Sequence, residues 1–408
     1  MRKMKVPVSV GSVLLCMFLL CRSAVAQSPS QVPFELKDGD KVVFLGNSLF
    51  ENEFQSGYLE LALTTRFPGR HVTFRNLGWT GDNVWGQARS TYTNPPTPYQ
   101  HLINQLTGAK PTLVFIAYGG VEAQDGQAGL ARFNEGYNQL LDKIDALGAK
   151  SILLSTTPVI FEDTSAHISQ RNADLKLYNT EISKIATSRK KQFIDIYSPI
   201  EALAKNTLII ENGSHLNETG YFHLAQILQK SLGIPYEVKD INIAIGKSGS
   251  EATAPAQISQ NMEGATVQFT IQENTLPLPL PKALPTTSAP LRKVKITGLK
   301  KGFYTLTADQ QQIAAASAKE WAEGVTISQG PDYYQVKQVQ EMIQKKNDQF
   351  FFQYRPLNRT YILGFRAYEQ GRHAKGLEDQ SLIMKWLEGQ IATHGVPKQR
   401  VYELKMLK

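Results

Sequence analysis

Lys41-Val-Val-Phe-Leu-Gly-Asn-Ser48-Leu-Phe50 joins an unbroken apolar run to a Gly-Asn-Ser turn. A run this short, rich in β-branched and aromatic residues and closed by glycine, predicts a buried strand. It would deliver a serine at the C-terminal edge of a sheet, where open α/β folds place their ligands. The pattern recurs at His71–Asn76, Leu113–Ala117, Ser151–Ser155 and Phe193–Ile196. Between these runs, Tyr58–Phe67, Tyr99–Leu106, Phe133–Leu147, Leu175–Ser188 and Tyr221–Leu232 carry apolar residues at helical spacing. Strands alternating with helices imply a parallel sheet. The expected fold class is α/β: a three-layer α/β/α sandwich around a five-stranded parallel sheet, over residues 27–235.

Upstream, Arg2, Lys3 and Lys5 precede an apolar stretch from Val8 to Leu20 and then Ala24-Val25-Ala26. Basic residues, an apolar stretch and a small-residue site read as a signal peptide over 1–26. The stretch is shorter than the roughly 20 residues a membrane span needs, and no later segment approaches that length. Both cysteines, Cys16 and Cys21, fall inside this leader, so the mature chain is expected to have neither disulfide nor thiol nucleophile. Lipid attachment at Cys21 is disfavoured by the bulky Leu20 before it. Loss of Arg2, Lys3, Lys5 and Arg22 with the leader takes 44 basic residues to 40 against an unchanged 36 acidic, and the net charge from +8 to +4. So small and dispersed an excess names neither nucleic acid nor a membrane surface as partner.

Beyond Ile234-Pro235 the pattern changes. Ala265–Ile271 and Leu291–Thr297 alternate with period two around Leu276-Pro-Leu-Pro-Leu-Pro281, which predicts a small β unit over 236–310 with the prolines in a rigid loop or edge. From Gln311 helical spacing returns at Ile313–Trp321, Tyr334–Lys346 and Ser381–Ile391. Residues 311–408 are expected to form a mainly helical C-terminal extension packed on the first domain.

Three segments carry the chemistry. A serine attacks a carbonyl when a base takes its proton and fixed donors receive the developing oxyanion. Ser48 follows Gly46-Asn47, a turn that exposes it. Asn76-Leu-Gly-Trp-Thr-Gly81-Asp82-Asn83 follows the second strand, and its glycines can bring backbone N–H groups to a ligand or form only a tight turn. His215, in Glu211-Asn-Gly-Ser-His215-Leu-Asn-Glu-Thr-Gly-Tyr221, opens the last helix of the domain, where a histidine is either structural or a base.

In this order on this architecture, the three segments, within about Lys41–Leu232, resemble the SGNH (GDSL-type) hydrolase family. The resemblance implies Ser48 as nucleophile, Gly81 as a backbone oxyanion donor and His215 as general base and then acid. Asn47, Gly120 and Glu122 are candidate substrate-binding residues. The sequence departs from the family at two places. Where the family's third block has an asparagine that donates to the oxyanion, Tyr118-Gly-Gly-Val121-Glu122 presents a valine. Loss of one such donor costs on the order of a hundredfold to a thousandfold in rate. Where the family has Asp-x-x-His, this chain has Asn212-Gly-Ser-His215, so Asn212 or Glu211 is left to orient the imidazole.

Phe350-Phe-Phe-Gln-Tyr-Arg355-Pro-Leu-Asn-Arg-Thr-Tyr-Ile-Leu-Gly-Phe-Arg366 and Glu369-Gln-Gly371 also resemble extensions on some secreted bacterial members of that family. Arg355, Asn358, Arg366 and Glu369 would line the cleft or latch two parts of the molecule together. Trp79 and Trp85 would stack on sugars or fill the core. No histidines or carboxylates stand at metal-ligand spacing, and no strand is followed by a glycine-rich nucleotide loop, so neither metal nor cofactor is expected. The resemblance implies a secreted or periplasmic ester hydrolase acting on acyl, above all acetyl, esters of small molecules or polysaccharides. The alternative is an SGNH scaffold that binds carbohydrate without turnover.

Overall fold

The structure, a computed structural model, describes residues 33–90, 96–161, 166–246, 249–262, 266–285, 290–356 and 372–407. The leader read over 1–26, with both cysteines, lies outside them, as do Asn358, Arg366 and Glu369.

Five strands form the parallel sheet: β1 (Lys41–Gly46), β2 (Thr73–Asn76), β3 (Leu113–Ala117), β4 (Lys150–Leu154) and β5 (Gln192–Ile194), in the order β2-β1-β3-β4-β5. The reversal of order at β1 creates a crevice at the C-terminal ends of β1 and β3, where such sheets bind ligands. One face is covered by α1 (Ser48–Ser56), α2 (Tyr58–Arg66) and, late in the domain, α7 (Glu218–Ser231). The other is covered by α3 (Pro98–Ala109), α4 (Gly126–Ala146) and α5 (Ala166–Ser188), while α6 (Tyr197–Leu203) follows β5. Successive β1 side chains supply opposite cores: Val42 and Phe44 join the first face, Val43 and Leu45 the second. This two-sided burial is why the strand reads as a continuous apolar run and not an alternating one.

The β unit is larger than expected from 236–310. One sheet runs β10 (Ala256–Met262), β11 (Thr266–Ile271), β16 (Arg400–Met406), β13 (Phe303–Ala308), β14 (Gln311–Ser317). The other runs β15 (Val325–Ile327), β12 (Arg292–Thr297), β8 (Ile241–Gly246), β9 (Gly249–Ala252). Phe269, Leu306 and Leu404 of the first sheet and Ile243 and Ile296 of the second share one apolar core with Trp321.

The helical reading of Ile313–Trp321 is corrected. Gln311–Ser317 is strand β14, and only Ala318–Glu323 is helical, as α8. Ala314-Ala-Ala316 favours a helix locally. Asp309 and Gln310, at φ 47° and 69°, nonetheless make the two-residue turn that folds the segment back on β13. Tertiary pairing outweighs propensity here.

Leu276–Pro281 is a loop between β11 and β12, seated on the first domain. Its Leu276 is fully buried, and its Pro279 carbonyl accepts the Tyr58 hydroxyl at 2.9 Å. Helix α9 (Pro331–Tyr354) packs on α1, α2 and the edge strand β2, with α10 (Arg372–His394) against it. Lys346 anchors α9: its Nζ donates to Glu60 Oε2 at 2.6 Å and to the Phe74 carbonyl at 3.2 Å. That covers an edge carbonyl that would otherwise lack a ladder partner.

Candidate active site

Strand β1 must end abruptly for a serine to project from its tip. At Gly46 an added Cβ would stand 2.6 Å from the Ala117 carbonyl oxygen, so only glycine lets β1 and β3 approach this closely. Asn47 then leaves the strand and caps α1, its side-chain oxygen accepting the Leu49 N–H at 3.2 Å. Ser48 is the first residue of α1 and stands at the positive end of the helix dipole, which favours negative charge developing beside its hydroxyl.

His215 arrives on a separate device. Strands β6 (Ile210–Glu211) and β7 (His215–Leu216) form a short antiparallel ribbon in which Glu211 pairs with His215. Asn212 and Gly213, at φ 49° and 74°, turn the chain between them. Asparagine is one of the few non-glycine residues that adopt this left-handed backbone readily. The Gly213 carbonyl accepts the Ile160 N–H at 2.7 Å, tying the turn to the loop after β4. Asn217 caps α7 by accepting the Gly220 N–H at 2.9 Å.

Ser48 and His215 line the same cavity, of about 190 Å³. Its wall also includes Asn47, Gly120, Val121, Arg171 and Thr156. Two expected site residues do not line it. Gly81 lies in the turn after β2 at φ 77°, in open surroundings and exposed. Glu122 sits beneath the floor, accepting the Gly119 N–H and the Val84 N–H, each at 2.9 Å. Burial pushes its carboxyl up to about 7. It therefore braces the loop after β3 against the one after β2 and does not reach a ligand in the cavity. Beneath the same loops, buried Asp82 accepts from Arg89 Nε at 2.8 Å and from the Tyr118 hydroxyl at 2.9 Å.

The tryptophans belong to packing. Arg355 lies 3.9 Å over the Trp79 ring and pairs with Glu51 at 2.9 Å, and Glu51 in turn accepts the Thr80 N–H. Of the C-terminal residues considered for a latch, Arg355 thus serves as one, on the turn that carries Gly81. Trp85 packs against Gly136 and Tyr99.

Several cavity residues carry no motif. Thr156 and Thr157 follow β4 at its C-terminal end, a position that the rule for open sheets flags. Arg171, in the first turns of α5, stands in a polar stretch with no sequence signal at all. Among the described residues there is no group of three or more histidine, cysteine or carboxylate side chains fit to hold a metal, and no helix long and apolar enough to cross a membrane.

Residues 44–222 match the GDSL-like Lipase/Acylhydrolase family. Among solved structures, a gut microbial diltiazem-metabolizing enzyme superposes with a TM-score of 0.69 at 20% identity, covering 91% of this chain and 99% of that one. An acetylxylan esterase from Geobacillus stearothermophilus, in a catalytic mutant form, gives a TM-score of 0.41 at 16% identity over 50% of this chain and 98% of its own. The acetyl xylan esterase AlAXEase gives 0.37 at 15% identity over 47% and 98%. No curated protein matches the chain. The 0.69 superposition extends the shared architecture through the β unit and the C-terminal helices. With its serine at the tip of β1, its histidine before α7 and the sheet order between them, the α/β/α domain of this chain is similar to the GDSL-like lipase/acylhydrolase family, whose model it matches over residues 44–222.

Proposed function

We propose that the protein is an exported serine ester hydrolase that removes short acyl groups, acetyl above all, from carbohydrate esters. The observation that carries this reading is the shared cavity of Ser48 and His215 at the C-terminal end of the sheet. Ser48 Oγ attacks the ester carbonyl carbon while His215 takes its proton. The tetrahedral intermediate then collapses, the bond to the alcohol oxygen breaks, and His215 returns the proton to the leaving alcohol. A water activated by the same imidazole releases the acid from Ser48.

The cavity's size and wall support a small acyl group on a hydroxyl-rich alcohol. Asn47, Asn52, Gln124, Thr156 and Thr157 offer neutral hydrogen-bonding groups that suit sugar hydroxyls. The leader-like residues 1–26 support export. The competing reading, a scaffold that binds carbohydrate without turnover, draws on Val121 and Asn212. Both readings are tested by assaying purified protein on p-nitrophenyl acetate and on an acetylated polysaccharide, beside Ser48→Ala. Turnover lost in the variant is expected; equal rates for the two proteins would leave only the binding reading.

A further inference from the structure

Valine at position 121 removes a side-chain donor, and the backbone around it shows where a replacement lies. Of the nearby N–H groups, that of Gly119 is taken by Glu122. Those of Gly120 and Val121 have no hydrogen-bond partner among the described residues, and both residues line the cavity with Ser48. A Cβ added to Gly120 would stand 3.1 Å from Asn47 Nδ2, so this backbone runs against the residue that precedes Ser48.

On the other side of the same peptide, Arg171 Nη2 donates to the Gly120 carbonyl. The C=O of one residue and the N–H of the next point in opposite directions across a planar trans peptide. Fixing the Gly120 oxygen toward α5 therefore fixes the Val121 N–H pointing away from it. No carboxylate pairs with the Arg171 guanidinium among the described residues, and its Nη1 is buried without a partner. Arg171 as a whole is half-buried, but a buried guanidinium nitrogen left without a partner is costly and calls for an explanation.

We propose that Arg171 is a positioning residue: by holding the Gly120 carbonyl it presents the Val121 N–H as the oxyanion donor that an asparagine side chain supplies elsewhere in the family. The inference rests on the esterase reading above. It also accounts for a valine at 121, since the side chain there no longer has to donate.

The test is steady-state hydrolysis of p-nitrophenyl acetate by the full chain and three variants, with thermal melting to confirm folding. Arg171→Met should lower kcat by about ten- to a hundredfold, with KM changed less than about threefold, because the lost donor acts on the transition state. Arg171→Lys, which keeps one donor for the carbonyl, should recover most of that loss. Adding Val121→Asn to Arg171→Met should also restore kcat by about tenfold or more, by returning a side-chain donor. The inference is overturned by a kcat for Arg171→Met within about threefold of the wild type, by a loss carried in KM, or by an Arg171→Lys no better than Arg171→Met. Wild-type protein without Ser48-dependent turnover would overturn the esterase reading and this one together. Normal wild-type turnover with an indifferent Arg171 overturns only this one.

Discussion

Glu211 stands directly opposite His215 across the ribbon of β6 and β7, with Asn212 and Gly213 forming the left-handed turn that joins them. Directly opposed residues of an antiparallel pair have their side chains on one face, with Cβ atoms about 5 Å apart. On that register we expect Glu211 to be the carboxylate that attracts an imidazolium at His215, Asn212 lying in the turn. Glu211 is exposed, and exposed charge pairs contribute at most about 1 kcal/mol. Glu211→Gln is accordingly expected to lower kcat/KM by about two- to fivefold, far less than the roughly ten-thousandfold loss seen when a buried triad aspartate is replaced. Kinetics of the variant on p-nitrophenyl acetate check this, and an unchanged rate would remove Glu211 from the site.

The C-terminal extension is latched to the turn after β2 through Arg355. Its pairing with Glu51 and its stacking on Trp79 hold the turn that carries Thr80 and Gly81. Cation-π contacts contribute about 1 to 2 kcal/mol when partly desolvated. Arg355→Ala should lower the melting temperature and, because the turn it holds does not line the cavity of Ser48 and His215, leave kcat within about twofold. A kcat lowered by about fivefold or more would contradict a purely structural role for the latch.

Lys346 and Glu60 are both buried, joined at 2.6 Å. Removing one member leaves the other charged or protonated in an apolar setting. Lys346→Ala is expected to destabilise by about 3 to 5 kcal/mol, whereas replacing both with apolar residues of similar volume, Lys346→Met with Glu60→Leu, should recover most of that loss. Chemical denaturation of the single and double variants measures the difference. A double variant no more stable than Lys346→Ala would contradict the assignment of the loss to an orphaned charge.

Glu53, on the buried face of α1, accepts the Leu59 N–H at 2.7 Å. Burial, aided by the neighbouring Glu60, raises its carboxyl from 4.5 to about 8. Between those values the native state holds a proton that the unfolded chain has released, so this group's contribution to stability falls as pH rises. Glu53→Gln keeps an acceptor and cannot ionise. Relative to that variant, the wild type should melt progressively lower as pH goes from about 5 to about 8. A constant gap would show that Glu53 is not protonated in the fold.

What could be read from the chain depended on the range of the interactions involved. Lys41–Ser48 declares strand and turn because two-sided burial and the bend at Gly46 leave local marks. Leu113–Ala117 matches β3 residue for residue for the same reason. Gln311–Ser317 misled because its alanines speak for a helix, while its partner strand and the turn at Asp309-Gln310 decide otherwise. Arg400–Met406 alternates visibly, yet it completes a sheet between β11 and β13, about a hundred or more residues away, and no local pattern names such partners. In the site, Ser48 and His215 were legible as motifs. Glu122 was legible as a residue and misplaced in role, because its burial comes from two loops meeting. Arg171 was silent, since its meaning lies wholly in the carbonyl that it meets.

The central claim is that Ser48 is an activated nucleophile. Labelling of the purified full-length protein with a fluorophosphonate probe, followed by peptide mapping beside Ser48→Ala and His215→Ala, tests it most directly. Label on Ser48 in the wild type, absent from Ser48→Ala and strongly reduced in His215→Ala, is the predicted result. No label on the wild type, or label that persists in Ser48→Ala, would contradict it.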